Sequence, residues 1–427
     1  MADRGTGVKW QTFRPLFHVA RNSAWLVSAE GVSRLSGFAM SLVLARSLGP
    51  SAFGVYAVAQ AFMSYATISG DFGYQIIGAR LAARHPGLAP YLMRVVEKKR
   101  SLVFVPSAAV LAVLALPTAA TLREYAILLI GITAGLPTVI ACDWLFVGLE
   151  RFRLVALWRS AQSLLALAAV FLAVSLGGAM VVTVIVAQAL VMMVFALWLR
   201  SCNRGHGDDD AGGRSDIDNE CRLANMAALG FGMLLLMVLN GFEIFVIKAF
   251  LGDTAAGYYS AAMRLIVTMF ASFAVAMMAV MPVIARSTND YLSLRRISRF
   301  VPLALLIGGL LAVGAAAYAD KIILLLYGAR FETSGPLLRL MCVLLPIDLV
   351  STLLGASTTA TGSTKIALRL TIFPVAFSIL AQPLLVLHLG LAGAVWGRIA
   401  AHGIQVTMIG LAYWNRSIYR WLGGSLR

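Results

Sequence analysis

Residues 45–59 read ARSLGPSAFGVYAVA, and residues 248–262 repeat the phrase as KAFLGDTAAGYYSAA. Tyr56 and Tyr259 are 203 residues apart (259 − 56), and the same offset relates a leucine and two glycines in each copy. Glycine accepts the backbone angles of a sharp reversal, and tyrosine is favoured near a membrane–water interface. We therefore expect a tight turn between two helices in each copy, with both tyrosines near the membrane surface. The repeat predicts a chain built from two similar halves.

The composition places the chain in a membrane. Of its 427 residues, 60% are hydrophobic and only 13% are charged, and the mean hydropathy is +0.85. A soluble globular domain is about a quarter charged. Because the apolar runs are of spanning length, we predict an all-α integral membrane protein with twelve transmembrane helices in two pseudo-symmetric six-helix lobes.

The net charge of +16 has a membrane explanation. Most of the 35 Lys and Arg residues fall in segments that face the cytoplasm if both termini are cytoplasmic, which follows the positive-inside rule. The predicted topology is therefore N-in and C-in, in the cytoplasmic (inner) membrane. Since the topology accounts for the basic residues, we expect no nucleic-acid partner.

The chain divides at a polar segment, residues 201–225, which reads SCNRGHGDDDAGGRSDIDNECRLAN. Its composition does not favour a buried core, and we predict a flexible cytoplasmic linker. The linker separates an N-terminal lobe, residues 1–200, from a C-terminal lobe, residues 226–427, each with six spans. An even number of spans makes the lobes parallel repeats about an axis along the membrane normal, an arrangement suited to alternating access.

Charged residues inside predicted spans are candidate functional residues. Glu30 and Arg34 are four residues apart on one helical face, and Ser41 extends that face. Arg34 lies about 15 Å from the inner end of the first span. We predict that Arg34 contacts ligand, with a purely structural Glu30 pair as the alternative.

The second span carries a polar stripe that includes Gln60 and Asp71 at helical spacing. In the C-terminal lobe the seventh span brings Glu243, and the eighth brings Arg264 and Thr268. Arg34 and Arg264 belong to opposite lobes, and arginine forks match phosphate oxygens. We therefore predict that they bind a phosphate or pyrophosphate from two sides.

Other polar sets are assigned smaller roles. Arg398, His402 and Gln405 share one face of the last span, and Asp348 lies in the tenth; we interpret both sets as contacts between helices. The sequence contains no nucleotide-binding glycine loop and no complete set of metal ligands. We predict no catalytic residue, no metal and no cofactor.

The chain resembles the polysaccharide or O-antigen flippases of the multidrug/oligosaccharidyl-lipid/polysaccharide exporter superfamily. The resemblance is carried by four segments: LARSLGPSAFGVYAVAQAF, SGDFGYQ, GDTAAGYYSAAMRLI with the later MPVIAR, and DKIILLLYGARFETSGPLLRLM. It implies two six-helix lobes around a central cavity that move by rocking. It also implies an undecaprenyl-pyrophosphate-linked glycan as substrate and functional links to a polysaccharide polymerase and glycosyltransferases.

Two further functions stay open at the level of sequence. An ion-coupled multidrug or cation antiporter of the same superfamily would bind its substrate through carboxylates, and Glu30, Asp71 and Glu243 are candidates for that role and for ion coupling. A membrane enzyme needs a sizeable outer loop, and the longest predicted one, residues 319–336, carries only two acids. We therefore do not expect an enzyme.

Overall fold

The computed structural model describes residues 7–176, 181–202, 211–285, 300–360 and 364–414, and within these ranges the regular structure is helical. Asp208, Asp209 and Asp210, which the sequence suggests are solvated loop charges, lie outside the described residues.

The first half of the chain forms helices α1 (Gly7–Asp71), α2 (Tyr74–Arg84), α3 (Ala89–Ala115), α4 (Leu122–Thr133), α5 (Pro137–Ile140), α6 (Asp143–Gly148), α7 (Phe152–Ser175) and α8 (Val181–Ser201). The remainder forms α9 (Ala211–Glu220), α10 (Leu223–Gly241), α11 (Glu243–Ala285), α12 (Val301–Ala317), α13 (Ala319–Tyr327), α14 (Ser334–Met341), α15 (Leu344–Ala360) and α16 (Thr364–Trp414).

The helices confirm a multi-pass membrane protein. Within the described ranges, 7 helical stretches are long and apolar enough to cross a membrane, or up to 9 when each of two bent helix pairs is taken as one span. Three of the longest helices, α1, α11 and α16, contain a residue with non-helical backbone angles at Gly49, Gly252 and Gly390. The count of twelve spans and the orientation of the termini stay predictions.

The first glycine shared by the two copies, Gly49 and Gly252, is required by the backbone angles at that position. Gly49 has φ 74° and ψ 176°, and Gly252 has φ 82° and ψ −175°. L-residues with a side chain rarely adopt this region, whereas glycine does so without steric cost. Each copy therefore breaks helical geometry at the equivalent position, where the sequence predicts the boundary between two spans.

The second shared glycine allows the two copies to pack against each other. A β-carbon built on Gly54 would stand 1.9 Å from the Asp253 carbonyl oxygen, and one on Gly257 would stand 2.0 Å from the Pro50 carbonyl oxygen. Neither position has room for a side chain, because each glycine lies against the backbone of the other copy. This reciprocal contact joins α1 to α11 and explains why the sequence carries the phrase twice.

The two tyrosines of the repeated phrase are buried between helices, and their depth in the membrane stays a prediction. Tyr56 and Tyr259 are buried in the core that the two halves share. The Tyr56 hydroxyl accepts a hydrogen bond from Gln188 Nε2 at 3.0 Å, and the Tyr259 hydroxyl donates to Glu243 Oε1 at 3.0 Å. Buried polar partners satisfy these hydroxyls. These hydrogen bonds and the packing between the halves account for the burial of both tyrosines.

The prediction of a flexible linker is wrong over α9. Ile217 and Cys221 are fully buried against the first half, and Glu220 forms ion pairs with Arg80 and Arg84 of α2. Further acids of α9 contact the same surface: Asp216 lies 3.0 Å from His85, and Asp218 accepts a hydrogen bond from Tyr91 at 2.8 Å. Charge complementarity with a basic neighbour folds a segment whose own composition does not favour order.

Candidate functional site

A cavity of about 430 Å³ lies between the two halves of the chain. Its walls are the first part of α1 with the part after Gly49, and the facing parts of α10 and α11. Five of the predicted site residues line it: Arg34, Gln60, Glu243, Arg264 and Thr268. The volume is in the range of small-molecule binding sites.

Arg264 differs from the other arginines of the site in its surroundings. Its guanidinium lies 5.7 Å from the ring centres of both Phe53 and Tyr56, across the boundary between the halves. Among the described residues, no carboxylate forms an ion pair with it. The aromatic faces stabilise the positive charge without using the guanidinium's hydrogen-bond donors, which stay available to an anionic ligand.

Arg34 enters the cavity already paired. Its Nε donates to Glu30 Oε1 at 2.7 Å, and the two side chains are 41% and 33% exposed. An exposed pair of this kind stabilises a helix by only a few tenths of a kcal/mol, about 0.3–0.5. The pair is therefore weak enough for a strong anion to compete with Glu30 for the guanidinium.

Glu243 lies at the cavity wall but faces a buried network. Arg398 of α16 donates to its Oε1 and also to the Asn240 carbonyl oxygen, the latter at 2.7 Å. Tyr259 donates to the same carboxylate oxygen. Both Glu243 and Arg398 are buried, so breaking this pair would leave an uncompensated charge in a low-dielectric interior.

Uncharged polar atoms line the rest of the wall. Gln60 Oε1 and Ser260 Oγ are buried and have no hydrogen-bond partner among the described residues. The Thr268 hydroxyl donates to the Arg264 carbonyl oxygen at 2.7 Å. Buried polar atoms are nearly always hydrogen-bonded, so the first two are positioned to bind ligand or water.

Three predicted residues lie outside the cavity lining: Glu30, which pairs with Arg34, Ser41 and Asp71. Ser41 is fully buried, and its hydroxyl donates to the Phe38 carbonyl oxygen at 2.7 Å. Asp71 ends α1, where it accepts hydrogen bonds from the Gly73 and Gln75 amides and pairs with buried Arg100. The contacts of Asp71 are those of a helix-capping and pairing residue.

Sequence reasoning missed several wall residues and one partner. Phe38, Tyr65, Met237 and Met263 line the cavity, and nothing in their local sequence distinguishes them from core residues. Arg398 was assigned to contacts between helices, and its partner Glu243 is 155 residues away. An arginine inside a span signals that an acid must lie nearby, but it does not identify which one.

The fold is that of transporters of the multidrug/oligosaccharidyl-lipid/polysaccharide (MOP) superfamily, as predicted. An outward-facing multidrug resistance MATE family transporter of the MOP superfamily superposes with a TM-score of 0.62 at 16% identity, covering 96% of both chains. The inward closed lipid II flippase MurJ superposes with a TM-score of 0.63 at 14% identity, covering 93% of this chain and 89% of MurJ. A MOP superfamily transporter from Pyrococcus furiosus, described as having a binding pocket of reversed polarity, gives 0.58 at 16% identity over 96% of each chain.

The sequence itself identifies the family. Residues 19–288, more than half of the chain, match the family model described as "Polysaccharide biosynthesis protein". The chain therefore belongs to the polysaccharide biosynthesis protein family. No protein of curated function matches it by sequence. The prediction that the chain is not an enzyme agrees with structural neighbours that are described as transporters and a flippase.

Proposed function

We propose that this protein is a flippase for undecaprenyl-pyrophosphate-linked oligosaccharide repeat units. It moves them across the cytoplasmic membrane by alternating access, for the synthesis of a surface polysaccharide such as O-antigen, capsule or exopolysaccharide. Membership of the polysaccharide biosynthesis family and the MOP fold support this proposal. Glycosyltransferases would build the glycan before this step, and a polymerase would act on it afterwards.

The proposal depends mainly on the surroundings of Arg264. A permanently charged guanidinium in a cavity at membrane depth is costly unless it faces water or an anion. Arg264 has aromatic neighbours from the other half and no acid partner among the described residues. A pyrophosphate accepts the parallel hydrogen bonds that arginine donates, and Arg34, from the opposite half, supplies the second contact.

The remaining site residues take supporting roles in this proposal. Gln60 and Thr268 line the cavity and would hydrogen-bond the sugar adjoining the phosphate. Ser41, which is buried one turn beyond Phe38, would act by holding the local packing of α1. Glu30, Asp71 and Glu243 stay the candidates for ion coupling, and each is paired with an arginine of its own half.

Arg264→Ala tests the proposal in a host from which the gene has been deleted. We expect surface glycan to fall at least about tenfold and lipid-linked intermediates to accumulate in the inner leaflet, because losing one partner of a desolvated charge pair costs about 2–5 kcal/mol. Arg264→Lys should restore export only in part, since lysine lacks the planar fork.

Arg339→Ala is the matched control, because Arg339 lies in helix α14 and pairs with Asp320 away from the cavity. Its export should equal that of the wild type. Equal export by Arg264→Ala, at equal amounts of protein in the membrane, would overturn the phosphate-binding role.

The alternative is an ion-coupled antiporter for drugs or cations. The fold is equally compatible with this alternative, since several of the structures with the same fold are MATE transporters. However, each carboxylate that would bind a cation is already paired with an arginine: Glu30 with Arg34, Asp71 with Arg100, and Glu243 with Arg398. Unchanged glycan with a gain in cation-drug sensitivity in the deletion strain would establish the antiporter instead.

A further inference from the structure

Helix α9 covers a basic surface at the end of α2. Glu220 of α9 forms ion pairs with Arg80 and Arg84, the second at 2.6 Å. Asp216, one turn earlier in α9, lies 3.0 Å from His85, the residue that follows α2. We call Arg80, Arg84 and His85 the α2 basic patch. In this structure its anionic partners are the carboxylates of the segment that joins the two halves.

The ion pairs hold α9 only weakly on this patch. The side chains of Arg80 and Arg84 are 52% and 50% exposed although α9 lies on them. Exposed ion pairs contribute little to stability, because water screens them and both side chains lose conformational freedom. Apolar burial adds the side chains of Ile217 and Cys221. An anion held close to both arginines can therefore compete with the acids of α9.

The patch lies where the chain is expected to leave the membrane. From Gly49 to Asp71, α1 advances 22 residues (71 − 49). That length is about 33 Å, close to the roughly 30 Å thickness of the hydrocarbon core. Helix α2 begins three residues later, at Tyr74. We therefore expect α2 at the level of the lipid headgroups, on the side of the membrane opposite Gly49.

One face of α2 has the residue order of a helix at that level. Ile76, Arg80 and Arg84 follow each other at intervals of four residues, so they share a face. Ile76 is 51% exposed and suits contact with lipid chains. The arginines, one and two turns further on, can direct their guanidinium groups to phosphate oxygens. This order favours an anion fixed in a lipid headgroup over a soluble anion.

The predicted topology adds a reason for an anionic lipid. It places α2 and α9 on the cytoplasmic side, where the leaflet surface carries negative charge. Basic residues close to such a surface attract anionic lipids, and each Lys or Arg adds to the attraction. The acids of α9 therefore take the place that an anionic headgroup would occupy.

We propose that the α2 basic patch is a binding site for the phosphate of an anionic lipid headgroup, and that the acids of α9 compete with this headgroup. When the headgroup binds, Arg80 and Arg84 exchange Glu220 for the phosphate, and α9 leaves the patch. No covalent bond changes. Cys221, which is buried while α9 is docked, then becomes accessible from water.

Release of α9 also frees the beginning of the second half. Helix α10 begins at Leu223, two residues after Cys221, and the Tyr74 hydroxyl of α2 donates to the Cys221 carbonyl oxygen at 3.3 Å. Docked α9 thus holds the start of α10 against α2, and headgroup binding removes this connection. The headgroup site needs no glycan, so it does not depend on the proposed function.

Maleimide labelling of Cys221 in the full-length protein tests the site. The protein is placed in nanodiscs of phosphatidylcholine alone or of phosphatidylcholine with phosphatidylglycerol. Exposed Cys202 is the internal reference, and Cys221→Ser assigns the signal. We expect phosphatidylglycerol to accelerate labelling of Cys221 at least about fivefold, the factor by which an anionic surface favours each nearby arginine. An unchanged rate would overturn the proposal.

Variants of the two arginines separate the headgroup site from a general effect of the lipid. Arg80→Gln with Arg84→Gln should abolish the acceleration by phosphatidylglycerol, and native mass spectrometry should show fewer phosphatidylglycerol molecules retained on the protein. Arg153→Gln is the control, because Arg153 is exposed and lies over the ring of Trp25. It should retain as much lipid as the wild type. Equal lipid retention by the double variant would contradict the assignment of the site.

Inorganic pyrophosphate distinguishes a lipid headgroup from a soluble phosphate. Added to phosphatidylcholine nanodiscs, it should change the labelling rate of Cys221 no more than sodium chloride does at equal ionic strength. Acceleration equal to that by phosphatidylglycerol would overturn the lipid as the source of the phosphate. These measurements contain no glycan, so their failure is distinct from a failure of glycan export, which tests the proposed function.

Discussion

At the scale of single residues, the two copies of the repeated phrase pack against each other because their second glycines have no side chain. Gly54 and Gly257 face each other's backbone so closely that a β-carbon would overlap a carbonyl oxygen. The contact joins the halves on one side of the cavity, and Phe53 and Tyr56, which lie beside it in sequence, also support Arg264. The same short segment therefore serves both the packing and the site.

Gly54→Ala should destabilise the protein by about 1–3 kcal/mol or more, because overpacking against backbone has no side chain that can move aside. The measurement is the thermal unfolding midpoint of purified protein in detergent. Gly309→Ala is the control, since a β-carbon at Gly309 in α12 meets no atom within 4 Å. It should be neutral or stabilise the helix by up to about 1 kcal/mol. Equal midpoints for both variants would show that the glycine crossing is not tightly packed.

At the scale of secondary structure, α9 is the element that the sequence does not predict. Its acids, Asp216, Asp218 and Glu220, meet the basic segment that ends α2 and begins α3. Burial raises the pKa of the Cys221 thiol at its end to about 12, and the carboxylates of Asp218 and Glu220 add to that shift. The thiol of Cys221 is therefore protonated at neutral pH while α9 is docked.

Glu220→Lys should release the end of α9, because it places a like charge beside Arg80 and Arg84. Exposure returns the pKa of Cys221 toward its ordinary value, the thiolate fraction rises, and maleimide labelling at neutral pH accelerates. Exposed Cys202 provides the internal control for labelling. The double variant Glu220→Lys with Arg84→Glu should restore part of the protection. A labelling rate of Cys221 unchanged by Glu220→Lys would show that its ion pairs do not hold the helix.

At the scale of the whole molecule, the halves meet on both sides of the cavity. One contact is the glycine crossing of α1 and α11, and the other packs Phe72, directly after α1, edge-on against Phe231 of α10 with ring centres 5.5 Å apart. Alternating access requires one of two such contacts to open while the other stays closed. The Phe72 contact is the more easily opened, because it depends on side chains rather than on backbone in contact with backbone.

A short bifunctional methanethiosulfonate reagent applied to Phe72→Cys with Phe231→Cys should stop glycan export, and dithiothreitol should restore it. The reason is that the cross-link ties α10 to the residue that follows α1. The control pair is Phe195→Cys with Trp198→Cys, whose parent rings are 6.3 Å apart within α8. Cross-linking that pair ties no two helices together and should leave export unchanged. Undiminished export after complete cross-linking of the first pair would contradict a rocking motion that separates this contact.

The sequence by itself determined the membrane class and the family, and it predicts a division into two related halves. It also placed Arg34, Gln60, Glu243, Arg264 and Thr268 on helical faces that line one cavity. These features are encoded locally, because hydropathy, helical spacing and a repeated turn are properties of neighbouring residues.

Only the tertiary structure decided the partners. It paired Asp71 with Arg100, Glu243 with Arg398 and Asp348 with His402, left Arg264 against aromatic rings, and folded α9 onto a basic surface. The physical reason is that a buried charge takes whichever opposite charge packing brings within a few ångströms. Partners that lie on different helices, from 29 to 155 positions apart in the sequence, carry no local sign of that proximity.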